Sequence, residues 1–289
     1  MSWRTVVVTG VSKLDYKLGY MVVRGEKPLR VFIDEIETLI VESTAVSMTA
    51  YLLNELVKHK VKVVFCDEKR EPTSELLPYY GCHDTSLKVA IQAKWSDNAK
   101  KLTWTEIIRE KISQQAYVLE KCGHDKEASK LRAYIPDVTP GDSTNREGHA
   151  AKVYFNTLFG MDFCRRDESV INSALNYGYA ILLSAINREI VAKGYVTQLG
   201  VHHENQFNNF NLGCDFMEPY RPIVDLMVYE SDMEEFGTKE KHYMAQLFEH
   251  KVSVNGREEY LSNAIKLYVA SLLDFLENEG ESVIRFYER

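Results

Sequence analysis

The chain has 289 residues, 45% hydrophobic and 27% charged, with a formal net charge of −7. Those values describe a globular protein with room for two domains and a generous core. They argue against a membrane span, because no apolar run approaches 18 residues, and against whole-surface affinity for nucleic acid, whose binding domains usually carry a basic footprint.

Up to residue 80 the apolar period is two. Runs at 5–9, 20–24, 29–33 and 38–42 are rich in Val, Ile and Leu and broken by Gly, Lys and Pro, the pattern of short strands. The spacing predicts a helix over 47–58, with Met48, Leu52, Leu56 and Val57 on one face, then a buried-type strand over 61–66. The first 80 residues therefore predict a small β-rich, sandwich-like domain with one helix. Turn residues from Glu71 to Asp84 mark a break, and a linker is expected at 81–86. Beyond it the period becomes 3.6, and helices fit 86–95, 104–121, 125–134, 146–160, 169–193, 219–230, 239–250 and 258–278. Residues 87–289 thus predict an all-helical second domain, and the whole an α+β fold. The opening run lacks a signal peptide's apolar core and cleavage site. Together with five scattered cysteines (Cys66, Cys82, Cys122, Cys164, Cys214) and no C-x-x-C, it predicts a cytoplasmic protein with reduced thiols.

No dinucleotide fingerprint, phosphate-binding loop or nucleophile elbow is present. The chemistry points elsewhere. Glu147 stands at the head of a predicted helix whose next neighbours on the same face are Ala150, Ala151, Tyr154, Phe155 and Leu158. A carboxylate there is costly unless a cation or hydrogen-bond donors hold it. Thr144-Asn145-Arg146-Glu147 also fits a capping box, in which Glu147 serves only the helix start. Downstream come His202 and His203, with Asp215 and Glu218 placed 12 and 15 residues after His203. Asp215 and Glu218 are one helical turn apart, and Pro219 and Pro222 put Glu218 at a helix mouth. Carboxylates and one imidazole from three segments make a mixed O/N donor set suited to Mn²⁺ or Mg²⁺ and compatible with Zn²⁺. Spacing alone does not choose between the two histidines. Arg146, Lys152, Arg165, Arg166 and Arg221 bring cations to the same segments.

The block Asn145–Phe155, with Leu175–Tyr179, Leu199–His203 and Asp215–Pro222, resembles the integrase/endonuclease subunit of the CRISPR spacer-acquisition machinery. The Trp3–Val8 opening and the Asn145–Ala151 block are most similar to members from type II systems. The resemblance covers essentially the full length. It implies metal ligands at Glu147, His203 and Glu218, a further carboxylate at Asp215, and DNA contacts at Arg221, with Arg146 and Lys152 as weaker candidates. It implies a DNA integrase using Mg²⁺ or Mn²⁺, which joins a 3′-hydroxyl of a short duplex to a repeat array by transesterification. It further implies that the first domain serves dimerisation and partner binding. The partners it implies are double-stranded prespacer and repeat DNA, a second copy of the chain, and a small ferredoxin-like protein of the CRISPR endoribonuclease family. In type II systems the effector nuclease and a ring-forming accessory protein join them. Two other functions stay open on the residues alone: a structure-specific metal-dependent endonuclease of DNA repair, and a non-catalytic scaffold that holds DNA ends.

Overall fold

In the computed structural model, residues 4–24, 28–78 and 82–288 are described. Trp3 and the first residue of the expected linker, Gly81, lie outside them. The chain divides into two compact units, Met1–Tyr79 with Ala245–His250, and Tyr80–Met244 with Lys251–Arg289. The short piece 245–250, expected at the end of a helix of the second domain, is thus grouped with the first.

The first unit holds two four-stranded sheets. Its elements run β1 (Arg4–Val8), β2 (Ser12–Lys17), β3 (Tyr20–Arg24), β4 (Leu29–Phe32), β5 (Ile36–Val41), β6 (Val46–Met48), α1 (Ala50–Lys58), β7 (Lys62–Cys66) and β8 (Pro72–Glu75). One sheet has the order β1-β5-β7-β8, with β1 and β7 both parallel to β5. A strand flanked on both sides in a parallel sheet is covered on both faces, so it reads as one apolar run. Ile36-Glu37-Thr38-Leu39-Ile40-Val41 is such a run, buried at every position except Glu37. Pro72, read from the sequence as part of the break, instead opens β8, an edge position where a missing N–H costs little. The other sheet is β4-β3-β2-β6. Its β2 is missing from the sequence reading because Leu14 is its sole fully buried side chain among polar neighbours. Leu14, Met21, Ile36, Leu39, Leu52, Leu56 and Val63, drawn from both sheets and α1, share one core.

The second unit is built from α2 (Thr85–Gln92), α3 (Asp97–Lys121), α4 (Asp125–Tyr134), α5 (Arg146–Phe159), α6 (Val170–Ala192), α7 (Asn211–Met217), α8 (Arg221–Ser231), α9 (Thr238–Ala245) and α10 (Leu261–Glu277). Helix α3 starts earlier than the period suggests because Ser96 caps it, its Oγ accepting from the Ala99 amide at 3.0 Å. The segment expected as one helix from Pro219 is a 3₁₀ turn, Glu218–Tyr220, leading into α8. A hairpin, β9 (Lys251–Val254) and β10 (Arg257–Tyr260), stands where a helix was expected to begin at Glu258. Its two-residue turn, Asn255-Gly256, has φ of 52° and 71°. Asn-Gly is the pair that accepts two positive φ angles in a hairpin turn, and it overrides the helical period here. Among the described residues no helix is long and apolar enough to cross a membrane.

Helix α6 runs through the core with Ala174, Leu175, Gly178, Ile181, Leu182 and Ile186 fully or nearly fully buried. A Cβ on Gly178 would sit 2.5 Å from Val224 Cγ1 of α8 and 2.7 Å from Met244 Cε. Overpacking of this kind costs about 1–3 kcal/mol. Gly178→Ala should therefore lower unfolding stability by roughly that amount, read from denaturant unfolding of the purified protein.

Candidate active site

The start of α5 decides what Glu147 can do. Its first amides are served by other residues. Asp142 accepts from the Arg146 and Glu147 amides at 2.8 and 3.0 Å, and Asn145 accepts from Gly148 at 3.2 Å. Asn145, in the left-handed region at φ 53°, is the N-cap. The Thr144 capping box expected as one reading does not form, since the Thr144 hydroxyl lies against Asp137 and Thr139. A Cβ at Gly148 would meet the Asn145 amide at 2.7 Å, which explains glycine there. Glu147 is thereby released from capping, and its Oε1 lies 2.5 Å from Lys111 Nζ.

Lys111 reaches in from α3 and also lies 2.5 Å from Oε2 of Glu218. Glu218, in the 3₁₀ turn, is 3% exposed, and Arg221 approaches its Oε1 at 3.3 Å. Burial alone would push the Glu218 carboxyl up, but Arg221, Lys111 and His203 together hold it below its ordinary value. Burial would likewise push the Lys111 ammonium down, yet Glu218 and Glu147 raise it. The Arg221 guanidinium lies over the Tyr179 ring at 4.7 Å, and the Tyr179 hydroxyl donates to buried Asp225. Burial pushes the Asp225 carboxyl up to about 6.

Asp215, on α7, is fully buried and accepts four hydrogen bonds from one loop. The Val201 and His202 amides reach Oδ2 at 2.7 and 3.0 Å, and the His203 amide reaches Oδ1 at 3.1 Å. His203 Nδ1 completes the set at 2.5 Å from Oδ1. With Nδ1 spent on Asp215, Nε2 is the ring nitrogen left for another partner. The hydrogen bond to Asp215 raises the His203 pKa against the opposing effect of burial, and Glu218 and Glu147 add to the rise. His202 sits differently, its exposed ring stacked flat on buried Trp104 at 4.1 Å and 2°. Gly200 permits the loop's tight approach, for a Cβ there would lie 2.4 Å from the His203 carbonyl and 2.7 Å from Asp215 Oδ2.

Glu147 and Glu218 therefore converge on one cation, with His203 in their field. Asp215 binds His203 and its loop, and Arg221 flanks Glu218. Arg146 instead pairs with Asp137 at 3.3 Å and lies against the Tyr134 ring, while Lys152 stands exposed on α5. Among the described residues, the trio of metal-ligand types with all ligand atoms within 4.8 Å of one another is Cys82, His83 and Asp84. Glu147, His203 and Glu218 are more open than that. A buried and a part-buried carboxylate closed on an ammonium, with an imidazole alongside, nevertheless fit the O/O/N donor set of a divalent cation. The sequence reading missed Lys111, Trp104 and the need for Gly200. Lys111 was open to the argument applied to Glu147, because it shares a helix face with buried Ile107, Ile108 and Gln115.

A family described as "CRISPR associated protein Cas1" matches residues 6–263. The CRISPR-associated endonuclease Cas1 of Neisseria meningitidis serogroup C (strain 8013) is 37% identical over 230 residues, covering 79% of this chain and 75% of that protein. A casposase solved bound to its integration product has the same fold, with a TM-score of 0.79 at 20% identity over 98% of this chain and 93% of its own. A chain of a Cas6-RT-Cas1–Cas2 complex is similar at a TM-score of 0.71 and 16% identity, over 96% of this chain and 35% of that one.

Replacing Asp215 by Asn removes the charge and the hydrogen bond that hold the His203 proton. The His203 pKa should then fall toward 6.5, as read from its imidazole resonances across a pH titration.

Proposed function

As a member of the CRISPR-associated Cas1 family, the chain is, we propose, a metal-dependent DNA integrase that inserts short duplexes into a CRISPR repeat array. The 3′-hydroxyl of the incoming duplex attacks a phosphodiester of the array. A new 3′-O–P bond forms as an existing P–O bond breaks, without ATP and without a covalent enzyme intermediate. The observation that carries this reading is the convergence of Glu147 and Glu218, from distant segments, on one buried cation position beside His203.

In this reading Glu147, His203 and Glu218 hold Mg²⁺ or Mn²⁺. The bound ion would polarise the scissile phosphate and screen the charge that builds on phosphorus. Asp215 fixes the His203 ring through Nδ1 and keeps Nε2 available, the arrangement common to metal-bound histidines. Arg221, part-buried beside Glu218, offers a fixed guanidinium to a phosphate oxygen. Arg146 and Lys152 add charge for the DNA backbone, Arg146 after exchanging Asp137 for phosphate. By family resemblance the chain works as a homodimer, through its first domain, with a small ferredoxin-like partner.

The test is strand transfer of a labelled duplex into a supercoiled repeat plasmid. Joining should require divalent metal, stop with chelator, and fall at least about 10³-fold in Glu147→Gln and Glu218→Gln, whose DNA binding persists. Normal joining by Glu147→Gln would overturn the assignment, and cut but unjoined products would point to a hydrolytic nuclease instead. Metal binding should also follow pH. The raised His203 pKa favours the imidazolium, which cannot ligate, until the pH climbs past that value. Mn²⁺ affinity measured by calorimetry should accordingly be weaker at pH 6 than at pH 8.

A further inference from the structure

Lys111 stands where the ion of the proposed reaction would have to go. Its Nζ is 2.5 Å from Glu147 Oε1 and 2.5 Å from Glu218 Oε2, and its side chain is 9% exposed. Two carboxylates closed on one ammonium repel each other, and the cation between them offsets that repulsion. The ammonium does that work incompletely. It is a single charge with three N–H donors, shared between two carboxylates at 2.5 Å each. A divalent ion at about 2.0–2.2 Å from each oxygen cannot share the same space with the ammonium.

Resting on the metal reading above, we propose that Lys111 is a positioning residue that holds Glu147 and Glu218 together in the metal-free protein and is displaced when the divalent ion binds. Its four-carbon stem lets the ammonium leave without moving α3, which is anchored by Trp104, Ile107, Ile108, Ile112 and Leu119. Ion binding therefore exchanges one charge for two and draws the imidazole in.

A ligand that must first wait for a minor, lysine-out state binds more weakly by the fraction of that state. Lys111→Met removes the competitor at nearly constant length. Its affinity for Mn²⁺, measured by calorimetry at pH 8 on the whole chain, should be at least about tenfold tighter than wild type, as expected when the competent state is a 10% population or less. Its thermal midpoint without metal should fall. Lys111→Arg, which keeps the charge, should show no gain in affinity. A purely structural lysine predicts the opposite sign, because the carboxylates would splay and Lys111→Met would bind Mn²⁺ more weakly. Equal or weaker binding by folded Lys111→Met thus overturns the proposal while leaving the metal reading intact. No Mn²⁺ binding by either protein overturns both. Should Lys111→Met fail to fold, the wild type still decides. Reductive methylation followed by mass spectrometry should find Lys111 protected without metal and labelled faster with Mn²⁺, and labelling indifferent to Mn²⁺ would refute the displacement.

Discussion

Two carboxylates, one buried and one part-buried, that share one cation govern this molecule's second unit. Glu147 and Glu218 come together on a positive group, and Lys111 supplies it from a third element. Removing one partner from a buried ion pair typically costs about 3–5 kcal/mol, so the arrangement is as much a constraint on folding as on chemistry. It ties α3, α5 and the turn before α8 to a common point where their charges meet.

Around that point each group is held by neighbours that themselves have little freedom. Asp142 and Asn145 serve the amides of α5, which frees the Glu147 carboxylate. Asp215 gathers three successive backbone amides and the His203 ring, so a single carboxylate shapes the loop and selects the tautomer. Arg221 is clamped between Glu218 and the face of Tyr179. These contacts fix the charges of the cluster in place before any ligand arrives.

Much of this was legible in the sequence, for identifiable reasons. Long amphipathic helices announce themselves, and α4, α5 and α6 lie close to where the period puts them. Glu147 betrayed itself as a charge on an apolar face, and Lys111 would have done so by the same test. What stayed hidden was non-local. Which imidazole faces Asp215 depends on a loop closed by Gly200, and its register cannot be read from two adjacent histidines. The capping box failed because Asp142, outside the motif, bonded the amides first. The hairpin at 251–260 was masked by charged residues that suit a helix equally well, although Asn255-Gly256 carried the local signal. β2 escaped because a strand with one buried residue has almost no period to detect.

The contributors to the cation point are spread from Lys111 to Arg221 along the chain, and no two neighbouring helices bring them all. A polypeptide still emerging from the ribosome therefore holds the acids long before it holds their assembly. Stripping Asp215 or Glu218 from reach leaves Glu147 an ordinary surface acid at a helix start. The cluster is therefore complete only once the last of these segments has docked.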